Sequence, residues 1–597
     1  MRPEVKYVAA FLLVFLTLYS TASCRAESAP ERSSPFTAVD WQEDQPLVQF
    51  EGEWYEALRL DSLDVADILS FCKDEYGDKW KKRFSEDLVE VLDAMGHSAQ
   101  VNMTLRLRRE GRISTATGVM TEDNRRAVWK FNNMPDRDEN DAPANDTKYR
   151  LDEVYQDIAF LARAIEDHYA YADLKQTDYI NWFDYLINTM GAQIRRDDLA
   201  FEIQKVLAMF GDGHTRVSDL NDMMPPGYLP FNVVPLGNQI VCLAPDGSGL
   251  LHAEYPFLRS INGISIYELL QTAGTLVADG STQYQWSQSL RRLAYIEYLL
   301  NVMDVRSGGH LEVELDDGRN QTHTLDMPIG AELVRFKRPE IDAAALREEG
   351  IGYLRIPIML YSEENMPKFE QEFGEALGEK GLIIDIRDNP GGSRALIPFL
   401  AARLLPPDHS PVVVNVAAFR TDDDPENAAG YLADRYLYPA DSDEFDAADR
   451  ASIETFKKTF RPEWKFDKDK FSQWHYMVVG PEKGKAYYDK PVVVLVNAGC
   501  FSAADVFTAA LKEFPGVTIV GETTGGGSGR ARSYELPHSK LEVRLSSMAS
   551  FQPNGSLFDG NGVAPDVMQM ATLSDILGDS DTQLARAADL VRSHSTK

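Results

Sequence analysis

Two continuous branched-aliphatic runs, LIIDI at 382–386 and VVVLV at 492–496, are each followed by a glycine-containing turn and then by a helical apolar pattern. Runs of this kind read as strands buried on both faces, and strands that alternate with helices build a parallel sheet covered on both sides. The repeat therefore predicts an α/β core in the C-terminal part of the chain. In the second unit Asn497 and Gly499 break the strand, and Ser502 falls at the mouth of a helix carried by Val506, Phe507, Ala510, Leu511 and Phe514. In the first unit the turn is Asp388-Asn389-Pro390-Gly391-Gly392, with a helix expected over 395–405. Adjacent glycines there let bare N–H groups approach a ligand.

Each turn has two readings. Ser502 is either an N-cap, the ordinary task of serine at this point, or a nucleophile. As a nucleophile it would sit beside helix N–H groups, such as that of Ala503, that lack intrahelical partners and can hold an oxyanion. The 388–392 segment is either a plain β–α turn or the other half of that anion hole. Taken in order, DIRDNPGG, FSAADVFTAAL and GETTGGG resemble the carboxyl-terminal processing (tail-specific) serine protease family. This superfamily includes the tricorn core protease and the repeats of interphotoreceptor retinoid-binding protein. The similarity runs from about Asn145 to the end of the chain.

What the resemblance implies depends on the general base. In one branch a lysine ends the segment that here reads GETTGGG, and this chain has Gly527 at that place. A Ser-Lys mechanism would need another lysine, such as Lys512 or Lys540, to move in. The tricorn-like branch uses histidine with a carboxylate, and FGDGHTRV supplies His214 after a helix expected over 198–210 that closes at Gly211. An imidazole titrates near neutrality and can take and return the serine proton. Among the ten histidines, His475 in FSQWHYMVV is the one rival, because it too lies among aromatic and apolar residues. The family carboxylate precedes a Gly-Val-x-Pro-Asp segment, here 562–566, which places Asp559 where glutamate is usual. Aspartate is one methylene shorter, so either the backbone moves inward or the contact to His214 weakens. The competing reading of Asp559-Gly560 is a turn closing a hairpin.

The resemblance thus implies Ser502 as nucleophile, His214 as base and Asp559 as its orienting carboxylate. The oxyanion would be held by N–H groups of Ala503 and of Gly391 or Gly392. No metal or cofactor is called for: Cys24, Cys72, Cys242 and Cys500 are scattered without metal-ligand spacing, and Cys500 reads as a packed thiol.

With Lys+Arg 61 against Asp+Glu 93 the net charge is −32, which argues against nucleic acid or anionic membrane surfaces as partners. Arg2 and Lys6 precede a short apolar run at 7–19 and small residues, the pattern of a secretory signal peptide over 1–26. Thr21-Ala22-Ser23-Cys24 also loosely resembles a lipoprotein acceptor site, so the expected location is secreted or periplasmic, with lipid anchoring at Cys24 as an alternative. No integral membrane span is expected.

The remaining organisation reads as a linker at 28–46 within a 27–146 α+β domain of unknown role, and a helical bundle over 147–220 that delivers His214. A β module follows over 221–330, with an Asn262-Gly263 turn, and then the 331–597 core. By resemblance the β module is PDZ-like, able to bind extended peptide as an added strand, and the core is crotonase-like. An insertion at 421–485 separates the two βα units and is either a lid or a solvated excursion. The function expected is a serine endopeptidase acting on extended or unfolded polypeptides. A catalytically silent ligand-binding protein on the same fold, and an esterase or amidase, are the alternatives.

Overall fold

The computed structural model describes residues 32–594 except 43, 110, 134–142, 176, 340, 342, 362–364 and 422–429. The expected signal peptide and Cys24 lie outside the described residues. The chain divides into two compact units, Met1–Ala142 and Pro143–Lys597.

In the first unit an antiparallel sheet runs Ala38–Gln42, Gln45–Phe50, Glu53–Leu60, Asn102–Arg109, Arg112–Val119. Along Asn102–Arg109 buried and exposed residues alternate, so Met103, Leu105 and Leu107 enter the core with Ile68, Leu69 and Cys72 of the helix Val65–Tyr76. The linker expected at 28–46 is corrected in its described part. Ala38–Gln42 is the first strand, because Ala38 and Val39 are buried and a tight reversal returns the chain as Gln45–Phe50.

The second unit is built around a five-stranded sheet, in the order Ile351–Arg355, Gly381–Asp385, Val492–Val496, Val517–Gly521, Val567–Met568, with every neighbouring pair parallel. The two aliphatic runs are its central strands, buried at every position, which accounts for their lack of alternation. The helices Leu396–Leu404 and Ala503–Lys512 share one core on one side of this sheet. On the other side Ile383, Val493 and Leu495 pack with Ala587, Ala588 and Val591 of Thr582–His594.

Helices Leu151–His168, Tyr179–Thr189 and Arg196–Ala208 precede the segment carrying His214. Residues 232–328 form a separate antiparallel sheet, in the order Asn232–Leu236, Gln239–Leu243, Phe257–Ile261, His310–Asp316, Thr322–Pro328. The described part of the 421–485 insertion is more than a solvated excursion. Its strand His475–Val479 pairs with Val412–Phe419, and Phe460, Trp464, Phe466 and Trp474 pack against the core. No helix among the described residues is long and apolar enough to cross a membrane.

Candidate active site

Ser502 precedes the helix Ala503–Lys512 but does not cap it: its side chain makes no capping hydrogen bond, and its backbone lies at φ 60°, ψ −117°. That region is strained for any residue with a Cβ and costs about 1–3 kcal/mol, a cost met where the surroundings over-determine the geometry. Gly391, at φ +100°, is pressed against this turn. A Cβ there would lie 2.6 Å from Phe501 O and 2.8 Å from both Ala503 N and Ser502 Cβ. The two βα turns therefore meet at the serine, and only glycine lets them.

Ser502 Oγ lies 3.1 Å from His214 Nε2, across 288 residues of sequence. One face of the imidazole is packed. Phe501 stacks on its face at 4.8 Å and 21°, and Tyr284 stacks on Phe501 at 4.7 Å and 25°. Asp212 is fully buried and accepts from the backbone N–H of His214 at 3.0 Å and from Thr215 Oγ1 at 2.7 Å. Gly527 explains the absent lysine: any Cβ at this position would stand 2.5 Å from the Phe501 ring and 3.2 Å from His214 Cε1. The alternative lysines are engaged elsewhere, Lys512 with Ala564 O and Asp566, and Lys540 with Glu535. His475 sits in a strand, with Nδ1 2.9 Å from Gln473 O.

Asp559 is buried and close, but it does not bond to the imidazole. One ring nitrogen of His214 and one carboxylate oxygen each of Asp212 and Asp559 lie within 4.8 Å of one another, while His214 Nδ1 and Asp559 Oδ1 are both buried without a hydrogen-bond partner. Tyr171 O–H donates to Asp559 Oδ2 at 2.6 Å, and His214 Nδ1 lies 4.0 Å from Asp212 Oδ1. Of the two outcomes expected from the shorter side chain, the weaker contact is the one found. Burial, only partly offset by the charge of Asp212, pushes the His214 pKa down to about 4. Burial, with the Asp212 charge added, pushes Asp559 up to about 8. An imidazole and two carboxylates are a donor set a metal would accept, but Nε2 faces Ser502 and Asp212 is already occupied by the backbone N–H of His214 and by Thr215.

The N–H of Ala503 has no acceptor among the described residues. That of Gly391 donates to Asn389 Oδ1 at 2.8 Å, so of the two glycines Gly392 is the one left to donate. The GETTGGG loop is fastened by Asp505, absent from the sequence reading, which accepts from Thr524 Oγ1, Gly526 N at 3.0 Å and Gly527 N at 3.2 Å. Cys500 is a packed thiol, donating to Ile386 O at 3.0 Å. Asp212 and Phe501 were the missed neighbours. Both adjoin assigned residues in sequence, but neither carried a signal of its own.

Residues 350–569 match the family model described as Peptidase family S41. A protein of Chlamydia trachomatis serovar D is 27% identical over 266 residues, 38% of this chain and 42% of that protein. The match thus spans less than half the length of this curated relative. A carboxy-terminal-processing protease of Bartonella bacilliformis is 30% identical over 80 residues, 13% of this chain and 18% of that protein. The crystal structure of mature CPAF aligns with TM-score 0.54 at 17% identity over 75% of this chain and 98% of that one. Mature CPAF complexed with lactacystin aligns at 0.53 and 18% identity, over 75% and 99%. At these identities the structures share a fold.

Proposed function

Residues 350–569 belong to peptidase family S41, and on that premise we propose that the chain is a serine endopeptidase with Ser502 as nucleophile and His214 as base. The observation that carries the reading is the 3.1 Å approach of Ser502 Oγ to His214 Nε2, made by a serine held at φ 60°. His214 takes the Oγ proton as the hydroxyl attacks the scissile carbonyl, then returns it to the leaving amine. The carbonyl oxygen enters between the N–H groups of Ala503 and Gly392, each donor worth about 10²–10³ in rate. The charge of Asp212 favours the protonated imidazole, and Asp559, held by Tyr171, lies in the same buried group. The sheet and helix arrangement supports a crotonase-like core, and the sheet at 232–328 a PDZ-like module. Extended or unfolded polypeptides are the substrates such a strand-adding groove accepts.

A fluorophosphonate probe is expected to label the protein, with labelling lost in Ser502→Ala and in His214→Ala and indifferent to EDTA. Casein is expected to be cut at least as readily, per active site, as small esters. Absence of labelling with the protein folded would exclude the active-serine reading. Ester hydrolysis without cleavage of casein would move the function to an esterase.

A further inference from the structure

Beside the imidazole stands a group of arginines with few close ion-pair partners, on a chain whose net charge is −32. Arg216 follows His214 by two residues and lies opposite Arg544 in the antiparallel pairing of Arg216–Val217 with Glu542–Ser546. Like charges directly opposite on neighbouring strands repel. Neither makes an ion pair within 4 Å among the described residues, although the charges of Glu542 and Asp219 act on Arg544: the acceptor for Arg216 is Gly213 O at 3.5 Å, and Arg544 Nε is buried with none. Arg435, half-buried, reaches only Asp434, at 3.8 Å, and Asp434 is also held by Arg530. Behind them Arg394 is 1% exposed and donates to the neutral acceptors Asn415 Oδ1, Arg435 O and Ser528 O, with its Nε unmatched. The charges of Arg216, Arg435 and Arg544 all reach His214 and oppose its protonation.

A guanidinium cluster with no close bidentate partner is an arrangement that a carboxylate completes, because the planar fork matches two oxygens at once. We propose that Arg216, Arg435 and Arg544 form a specificity site for an aspartate or glutamate side chain of the substrate, next to the scissile bond. The inference rests on the Ser502–His214 reading for the place of that bond. It adds the class of residue recognised there, an acidic side chain.

Binding of peptides to Ser502→Ala protein separates the inference from the catalytic reading. A set of casein-derived peptides capped at both ends, each made in two forms that differ only in Glu against Gln at a single central position, is compared by fluorescence anisotropy. The Glu peptide is expected to bind about tenfold tighter or more. The ratio should fall toward one in exposed Arg216→Gln, in Arg544→Gln, and in high salt. Arg216→Gln keeps the test open should Arg544→Gln fail to fold. Equal affinity for the two peptides, no binding of either, or a ratio unmoved by both substitutions would overturn the site. A third peptide, with Gln and a free C-terminus, shows whether a terminal carboxylate is preferred instead, an outcome that would also overturn the side-chain assignment. Selective binding with no cleavage by the unsubstituted protein would sink the catalytic reading and leave the acidic site standing.

Discussion

Ser502 carries both the reaction and the strain. With φ at 60° and ψ at −117°, its turn is one that glycine enters freely, so Ser502→Gly is expected to abolish labelling while raising stability by about 1–3 kcal/mol. Thermal unfolding of the two proteins checks it, and an unchanged or lower midpoint would contradict the strain. The titrating pair beside the serine is pushed apart in opposite senses. His214, down to about 4, stays a neutral base well below the usual imidazole range, so the acidic limb of kcat/KM should lie nearer pH 4 than pH 6.5. Asp559, up to about 8 from 3.8, keeps a proton in the native state that the unfolded chain has released between those values. More protons bound when folded means that this group makes stability fall as pH rises through that window. Asp559→Asn should therefore flatten the loss of stability between pH 5 and pH 7.5 in denaturant titrations. Because Asp559 is near His214 without a bond to it and already holds a proton below about pH 8, the same substitution should lower kcat by well under the roughly 10⁴ lost when a bonded triad aspartate is replaced.

At the scale of elements, the site depends on Gly527 leaving room for the Phe501 ring against His214. Gly527→Lys, which restores the residue of the Ser-Lys branch, should displace Phe501 and the imidazole together. A loss of labelling of about a hundredfold or more is expected, with no rescue of His214→Ala by the introduced lysine. Recovery of labelling in that double variant would show that the loop accepts either base. The elements that converge here were legible where burial is uniform. The strand over 492–496 was read with its bounds, and the helix read over 198–210 is observed as Arg196–Ala208, two residues earlier at each end. What escaped was local chemistry that periodicity does not record. The turn at Asn262-Gly263 does return the chain as a strand, but only over Ile264–Ser265, and the helix Ile266–Gly274 that starts there on a Ser265/Glu268 capping box was hidden behind the apolar pattern. Helix Val65–Tyr76 and strand Arg112–Val119 were missed too, the latter because its polar, mostly exposed residues carry almost no apolar alternation. Pairwise distances such as that of Asp559 from His214 are tertiary, and sequence alone offered only the two alternatives.

At the scale of the whole chain, the first unit has its own hydrophobic core, from Phe36 to Val128, whereas the catalytic candidates all lie in Pro143–Lys597. A core of that kind, around a sheet and helix of its own, is the condition for cooperative unfolding as a separate domain. Leu92→Ala removes a fully buried side chain from it and should cost about 2–5 kcal/mol there. In scanning calorimetry the expected result is two transitions, one lowered by Leu92→Ala and the other in place, with fluorophosphonate labelling of Ser502 unchanged at temperatures below both. One transition shared by the whole chain, with labelling lost in step, would mean that the unit is part of what holds His214 against Ser502. That outcome would assign the N-terminal unit a share in building the site, where separate transitions leave it free to serve another end, because a domain that melts alone cannot be what fixes a 3.1 Å contact elsewhere.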